Sequence, residues 1–181
     1  MIKENIIDIL ESNKYICFVI PKLFSENECN ELLTDDIKNS FVSAIANYPT
    51  YYRNNERMVI DSEVLAKKLF EKVKEYLPSK IKIKSKNDIE NGVWNLKNIN
   101  ERIRYCKYSQ EQYFNRHLDG IYHKSEKEHS KLTFIIYLNN SDEFSGGRTL
   151  FYKNKNTKKI WKSYSPQKGD LIIFDHNIWH E

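Results

Sequence analysis

The sequence predicts an α+β fold in which helices near the N-terminus precede an antiparallel β-sandwich of the barrel or jelly-roll kind. Three observations predict it. In residues 61–78, "DSEVLAKKLFEKVKEYLP", the apolar positions Val64, Leu65, Leu69, Val73 and Leu77 recur at helical spacing. From about residue 101 onward the chain instead carries short segments rich in Tyr, Phe and Ile, parted by turn signals. The apolar fraction of 40%, with 12 Tyr and 9 Phe, is enough for a real core, and only 5 Gly and 4 Pro argue against long disorder. A length of 181 residues suits one domain spanning 1–181, with a helical support region over 1–100 and the β core over 101–181.

Taken in order, residues 3–12 suggest a short helix, and "YICFVIPKLF" (15–24) reads as a strand ended by Pro21. "SENECNELL" (25–33) starts a helix, with Ser25 as N-cap and Glu28 three residues later completing a capping box. "FVSAIAN" (41–47) fits either periodicity. "YPTYYRNNERMVID" (48–61) begins as a loop and ends as a strand, leading into the helix of 61–78. The β region then holds "RIRYCKYS", "YFNRHLD", "KLTFIIYLN", "RTLFYKN", "KKIWKSYSP" and "GDLIIFDHNIWHE", with turns at "NNSD", "SGG", "NKN" and "PQKG".

Bulk properties narrow the function. The net charge of +4, from 29 basic and 25 acidic residues, is too balanced to imply a nucleic-acid partner, and lysine-rich "KNKNTKK" (153–159) reads as solvated surface. Cys17, Cys29 and Cys106 are odd in number and widely spaced, which argues against both a disulfide framework and a cysteine zinc site. The N-terminus has acids inside its short apolar run and makes a poor signal peptide. The chain also has no apolar run of about 18 residues, so no membrane partner and a cytoplasmic location are expected.

The stretch "NRHLDGIYH" (115–123) carries the chemistry. His117 and Asp119 are two apart, the period at which strand side chains share a face. Three more histidines are candidates for a third ligand. His123 and His129 flank a polar run, "HKSEKEHS", that reads as an exposed loop, whereas His176 and His180 follow a late strand that can lie beside an early one. Two histidines and one carboxylate on one face of a metal make the 2-His-1-carboxylate arrangement of non-haem Fe(II) oxygenases, which leaves positions open for a co-substrate and O₂. Spacing alone is also satisfied by a surface strand whose His117 and Asp119 simply hydrogen-bond, and it does not choose between His176 and His180.

Several motifs in order sharpen this reading: "FVIPKLFSENECNELL", "YRNNERMVID" followed by "LAKKLFEKVKEYLP", "NERIRYCKYSQEQYFNRHLDG", "SKLTFIIYLNN", "FSGGRTLFY" and "PQKGDLIIFDHNIWHE". Through most of its length the chain resembles the prolyl 4-hydroxylase-type branch of the 2-oxoglutarate/Fe(II)-dependent dioxygenases. The resemblance implies a double-stranded β-helix (jelly roll) with helices packed on it. It implies Fe(II) held by His117, Asp119 and His180, with 2-oxoglutarate as co-substrate, O₂, and ascorbate as an accessory reductant. Thr133 matches a strand position whose hydroxyl meets the far carboxylate of 2-oxoglutarate, and Tyr108 matches a tyrosine lining the co-substrate pocket. The implied reaction hydroxylates an unactivated C–H of a peptidyl residue, proline first, with "YPTYYRNNER" as a lid or substrate loop and Arg53 and Arg57 as substrate contacts.

The sequence departs from the family pattern in places. Glu111 stands where the family usually has Gly, and Phe114 where it often has Tyr. The family places a Lys or Arg about ten residues beyond the distal histidine, within a last strand. The given sequence ends at Glu181, so the expectation is weakened 2-oxoglutarate binding unless Arg148 or Arg104 takes that role. Two further readings compete: a catalytically silent jelly-roll binding module with a relic metal site, and an oxygenase acting on a small molecule rather than a protein.

Overall fold

The computed structural model describes residues 6–84 and 90–181. The elements run β1 (Ile7–Asp8), β2 (Cys17–Ile20), α1 (Glu26–Leu32), α2 (Asp35–Lys38), β3 (Val42–Ser43), β4 (Glu56–Asp61), α3 (Glu63–Val73), β5 (Lys80–Ile83), β6 (Gly92–Asn95), β7 (Arg102–Lys107), β8 (His123–Ser125), β9 (Glu128–His129), β10 (Leu132–Ile136), β11 (Thr149–Tyr152), β12 (Lys162–Tyr164), β13 (Leu171–Asp175) and β14 (Trp179–His180). The chain is mostly sheet with few helices, compatible with a jelly-roll-like fold. It forms two compact units, one of the residues up to Met58 with Tyr105–Ile121 and Lys131–Glu181, the other of Val59–Arg104 with Tyr122–Ser130.

Two of the sheets lie wholly in the first unit. One has the strand order β1-β2-β13-β10 and the other β12-β11-β14. At the centre of the first sheet, β13 pairs antiparallel with β10 (Thr133 opposite Phe174) and with β2 (Val19 opposite Ile172). That central place explains the unbroken apolar run "LIIF": Leu171, Ile172, Ile173 and Phe174 are all buried. Phe174 meets Phe151 of β11 edge to face at 5.5 Å, and Val19, Cys17, Ile172 and Ile178 complete a cluster drawn from both sheets. Gly169, at φ +89°, turns the chain into β13; a Cβ there would sit 2.1 Å from the Phe24 carbonyl oxygen.

Helix starts follow the sequence closely. Ser25 and Glu28 form the expected capping box on α1. In the second unit, Ser62 caps α3, which buries Ala66, Leu69 and Val73. Val64, counted with the apolar stripe above, is instead 83% exposed, because it falls on the opposite side of the helix from Leu69 and Val73. β5 and β6 pair antiparallel, with Ile81 opposite Trp94.

Three expectations need correction. Where a helix was expected over residues 3–12, the structure has β1, paired with β2, followed by a turn in which the Asp8 carboxylate accepts from the N–H groups of Leu10 and Glu11 (3.0 and 2.9 Å). Those partners satisfy the backbone without helical bonds; residues 3–5 lie outside the described residues. "YFNRHLD" is not a continuous strand but an irregular segment with isolated bridges at Phe114 and His117. "HKSEKEHS" is not an open loop but the hairpin β8–β9, with His123 opposite His129. Among the described residues, no helix is long and apolar enough to cross a membrane.

Candidate metal centre

His117, Asp119 and His180 come together in the first unit, each with a donor atom within 4.8 Å of the others. The backbone sets the pairing. The N–H of His117 donates to the carbonyl of His180 (2.9 Å) and the N–H of His180 returns the bond (3.1 Å), so the two residues face each other across a narrow antiparallel bridge. β14 is in turn held by β11, where Phe151 lies opposite His180.

The same backbone fixes the tautomers. Nδ1 of His117 lies 2.8 Å from the Asn115 carbonyl oxygen, and Nδ1 of His180 lies 2.9 Å from that of Ile178. A carbonyl can only accept, so each Nδ1 carries a proton, which leaves Nε2 as the nitrogen available to a metal. Those Nε2 atoms face the two oxygens of one carboxylate: His117 is 3.6 Å from Oδ1 of Asp119, and His180 is 3.6 Å from Oδ2. This separation is too long for a hydrogen bond and suits donors that share a cation. The donor set of two imidazoles and one carboxylate fits Fe(II) and leaves coordination positions unfilled.

The surroundings favour an ionised Asp119. Burial works against ionisation of Asp119, yet the His117 ring beside it, His180 and the Thr133 hydroxyl outweigh burial and hold the carboxyl well below the usual carboxylate range. Burial lowers the His180 pKa, against the opposing pull of Asp119, so the ring is neutral at physiological pH.

The wall behind His117 comes from residues 48–57. Phe114 stacks on the His117 ring (3.5 Å between centroids, 15° between planes), and Tyr52 meets Phe114 edge-on at 5.1 Å. The Arg53 guanidinium, only 4% exposed, lies 3.9 Å from the centre of the Phe114 ring and donates to Asn55 Oδ1 at 2.9 Å. Several hydrogen bonds stitch this loop to the segment carrying His117, among them Asn54 N–H to the Tyr113 carbonyl (3.2 Å), Tyr113 N–H to Asn54 Oδ1 (2.7 Å), the Tyr113 hydroxyl to the Thr50 carbonyl (3.1 Å), Asn115 N–H to the Tyr52 carbonyl (2.9 Å) and Asn115 Nδ2 to the Tyr51 carbonyl (2.6 Å). On the far side, Arg116 stacks on Tyr152 at 3.3 Å and pairs with Glu181 at 3.4 Å, while the Tyr152 hydroxyl donates to Glu181.

The other sequence-derived candidates fall in different places. Thr133 donates to Oδ2 of Asp119 at 2.5 Å, so its hydroxyl is engaged with the carboxylate itself. Tyr108 has an exposed flank; burial raises its pKa and the neighbouring Cys106 adds to the rise, with Arg53 and Arg57 pulling the other way. His176 is buried but stands outside the three-residue group. Arg148 and Arg104 are both exposed, and Arg104 belongs to the second unit. Phe114 as the stacking partner of His117, and the carbonyls of Asn115 and Ile178, were missed by sequence reasoning. The carbonyls leave no trace in residue identity, but each lies two residues before its histidine, a repeat that could have been noticed.

Residues 103–181 match the family model of the 2OG-Fe(II) oxygenase superfamily. The matched segment contains His117, Asp119, Thr133 and His180, and it supports a dioxygenase of that superfamily, whose members depend on Fe(II) and 2-oxoglutarate. No curated protein and no solved structure gives a significant match to the chain.

Proposed function

We propose that this protein is an Fe(II)- and 2-oxoglutarate-dependent hydroxylase acting on an unactivated C–H of a peptidyl residue, with proline the first candidate. One observation carries the reading: the Nε2 atoms of His117 and His180 lie 3.6 Å from opposite oxygens of one carboxylate, in a segment matched by the superfamily. His117, Asp119 and His180 are the proposed iron ligands. When bound, the iron supplies activation of O₂ coupled to the oxidation of 2-oxoglutarate to succinate and CO₂.

The protein's own residues do the rest. The carbonyls of Asn115 and Ile178 aim the two imidazoles, Thr133 orients Asp119, and Phe114 with Tyr52 shields the His117 ring from water. Tyr108 is proposed to line the co-substrate pocket, joined by Arg57. The Nε of Arg57 is a buried donor with no hydrogen-bond partner among the described residues, and it suits a carboxylate. The loop of residues 48–57, with Tyr51 75% exposed, is the proposed substrate-facing wall.

The test is optical and anaerobic. Fe(II) with 2-oxoglutarate is expected to give a weak visible charge-transfer band in the wild type and none in His180→Ala. A peptide screen for succinate release, with and without ascorbate, then assigns the substrate. A metal-loaded protein that gives no band with 2-oxoglutarate would overturn the proposal in favour of a silent binding module. A band together with turnover of a small molecule alone would overturn the peptidyl assignment.

A further inference from the structure

The second unit holds another convergence of donors, unrelated to the first. Glu90, His123 and His129 each place a donor atom within 4.8 Å of the other two. His123 and His129 are opposite each other in the β8–β9 hairpin, with ring centroids 4.2 Å apart at 66°. Nδ1 of His129 lies 2.9 Å from Oε1 of Glu90. The arrangement is braced: the His129 ring packs on Trp94 at 4.9 Å, and the Trp94 indole N–H donates to the backbone carbonyl of Glu90 at 3.1 Å. The side chain of His129 is 1% exposed and that of Glu90 8%, whereas His123 is exposed and leaves the group open on one side. Glu128, adjacent in sequence to His129, is engaged by Lys97 (2.5 Å) and Asn98 (3.3 Å) and does not compete for the centre.

We propose that Glu90, His123 and His129 form a second metal site, for a divalent first-row cation of the Zn(II) type. A carboxylate–histidine pair alone accounts for burying Glu90 beside His129 and makes no use of a second imidazole. The hairpin register adds that imidazole on the same side, giving two nitrogens and one oxygen with an open fourth position. Glu90 precedes the hairpin by more than thirty residues, so the bound cation ties two distant stretches of this unit together and stabilises it.

The experiment is a Zn(II) titration of the full-length, metal-free chain against a chromogenic chelator. The wild type is expected to bind two equivalents. His123→Ala, at an exposed position where the buried pair is untouched, is expected to bind one. His180→Ala is also expected to bind one, and the double variant none. Glu90→Gln, which keeps the shape and removes the charge, is expected to weaken the second equivalent while leaving the first unchanged. Two equivalents retained by His123→Ala would overturn the proposal, as would a single wild-type equivalent lost in His180→Ala. A single wild-type equivalent lost in His123→Ala and kept in His180→Ala would support this site and refute the iron centre instead, so the two readings fail separately.

Discussion

Replacing Thr133 by Val removes one hydrogen-bond donor from Asp119 and little else. The substituted side chain is β-branched and similar in shape, so β10 keeps its fit against β13. The lost bond is short, at 2.5 Å, and has an ionised acceptor. Hydrogen bonds to charged groups contribute about 1.5–3 kcal/mol. The Asp119 side chain is 26% exposed, so water partly replaces the lost donor and the lower end applies, about 1.5 kcal/mol. Loss of a group that orients a metal ligand typically weakens metal binding by about 10–100-fold, and 1.5 kcal/mol corresponds to about tenfold. The expected result is therefore an Fe(II) or Co(II) affinity about tenfold lower in Thr133→Val, measured by anaerobic titration, with Thr133→Ser close to wild type. The family resemblance assigns this hydroxyl to the far carboxylate of 2-oxoglutarate. On that assignment metal affinity would hold while the 2-oxoglutarate Kd, measured at saturating metal, rose. Unchanged metal affinity in Thr133→Val would refute the orienting role of the hydroxyl.

His180→Ala should abolish metal binding at the iron centre while His176→Ala leaves it intact, as read by metal analysis after anaerobic loading. Gly169→Ala should destabilise the first unit by at least about 2 kcal/mol, since its φ of +89° and a Cβ 2.1 Å from the Phe24 oxygen leave no room; thermal melting should show a clear drop in Tm. Phe114→Ala removes both the stack on His117 and the face that Arg53 covers, and should lower metal affinity and melting temperature together, whereas Phe114→Tyr should be neutral in both. Glu111→Gly should be neutral or stabilising by up to about 1 kcal/mol in a denaturant melt, since Glu111 sits at φ +62°.

The sequence disclosed most where local chemistry decides the outcome. Ser25 and Glu28 announce the start of α1, and the turn residues at "PQKG" separate β12 from β13. It disclosed least where distant partners decide. Residues 6–12 hold polar and apolar residues in a helix-like mix, but pairing with β2 and the Asp8 turn satisfy their backbone instead. "HKSEKEHS" is polar enough to read as loop, and it is Glu90 and Trp94, far away in sequence, that cover the His129 side chain. At the candidate metal centre the three residues that come together were legible, yet strand alternation is not what makes them converge. The segment from Phe114 to Asp119 is not a regular strand; His117 is placed by its bridge to His180 and by the ring of Phe114.

Glu111 shows how that placement survives a departure from the family pattern. A glycine would take the left-handed conformation there freely; glutamate takes it at a cost of about 1 kcal/mol. The surrounding hydrogen bonds over-determine the turn. Ser109 N–H donates to Gln112 Oε1 at 2.9 Å, Gln112 N–H to the Ser109 carbonyl at 3.0 Å, and Asn54 Nδ2 to the Glu111 carbonyl at 3.3 Å. Asn54 also accepts from the Tyr113 N–H, so one side chain from the loop of residues 48–57 holds the C-terminal side of the turn at two points. The turn in turn aims Phe114 at His117. The loop and the segment carrying His117 are therefore one structural piece, and on the proposed function a substrate that displaces residues 48–57 must also move the ring stacked on His117.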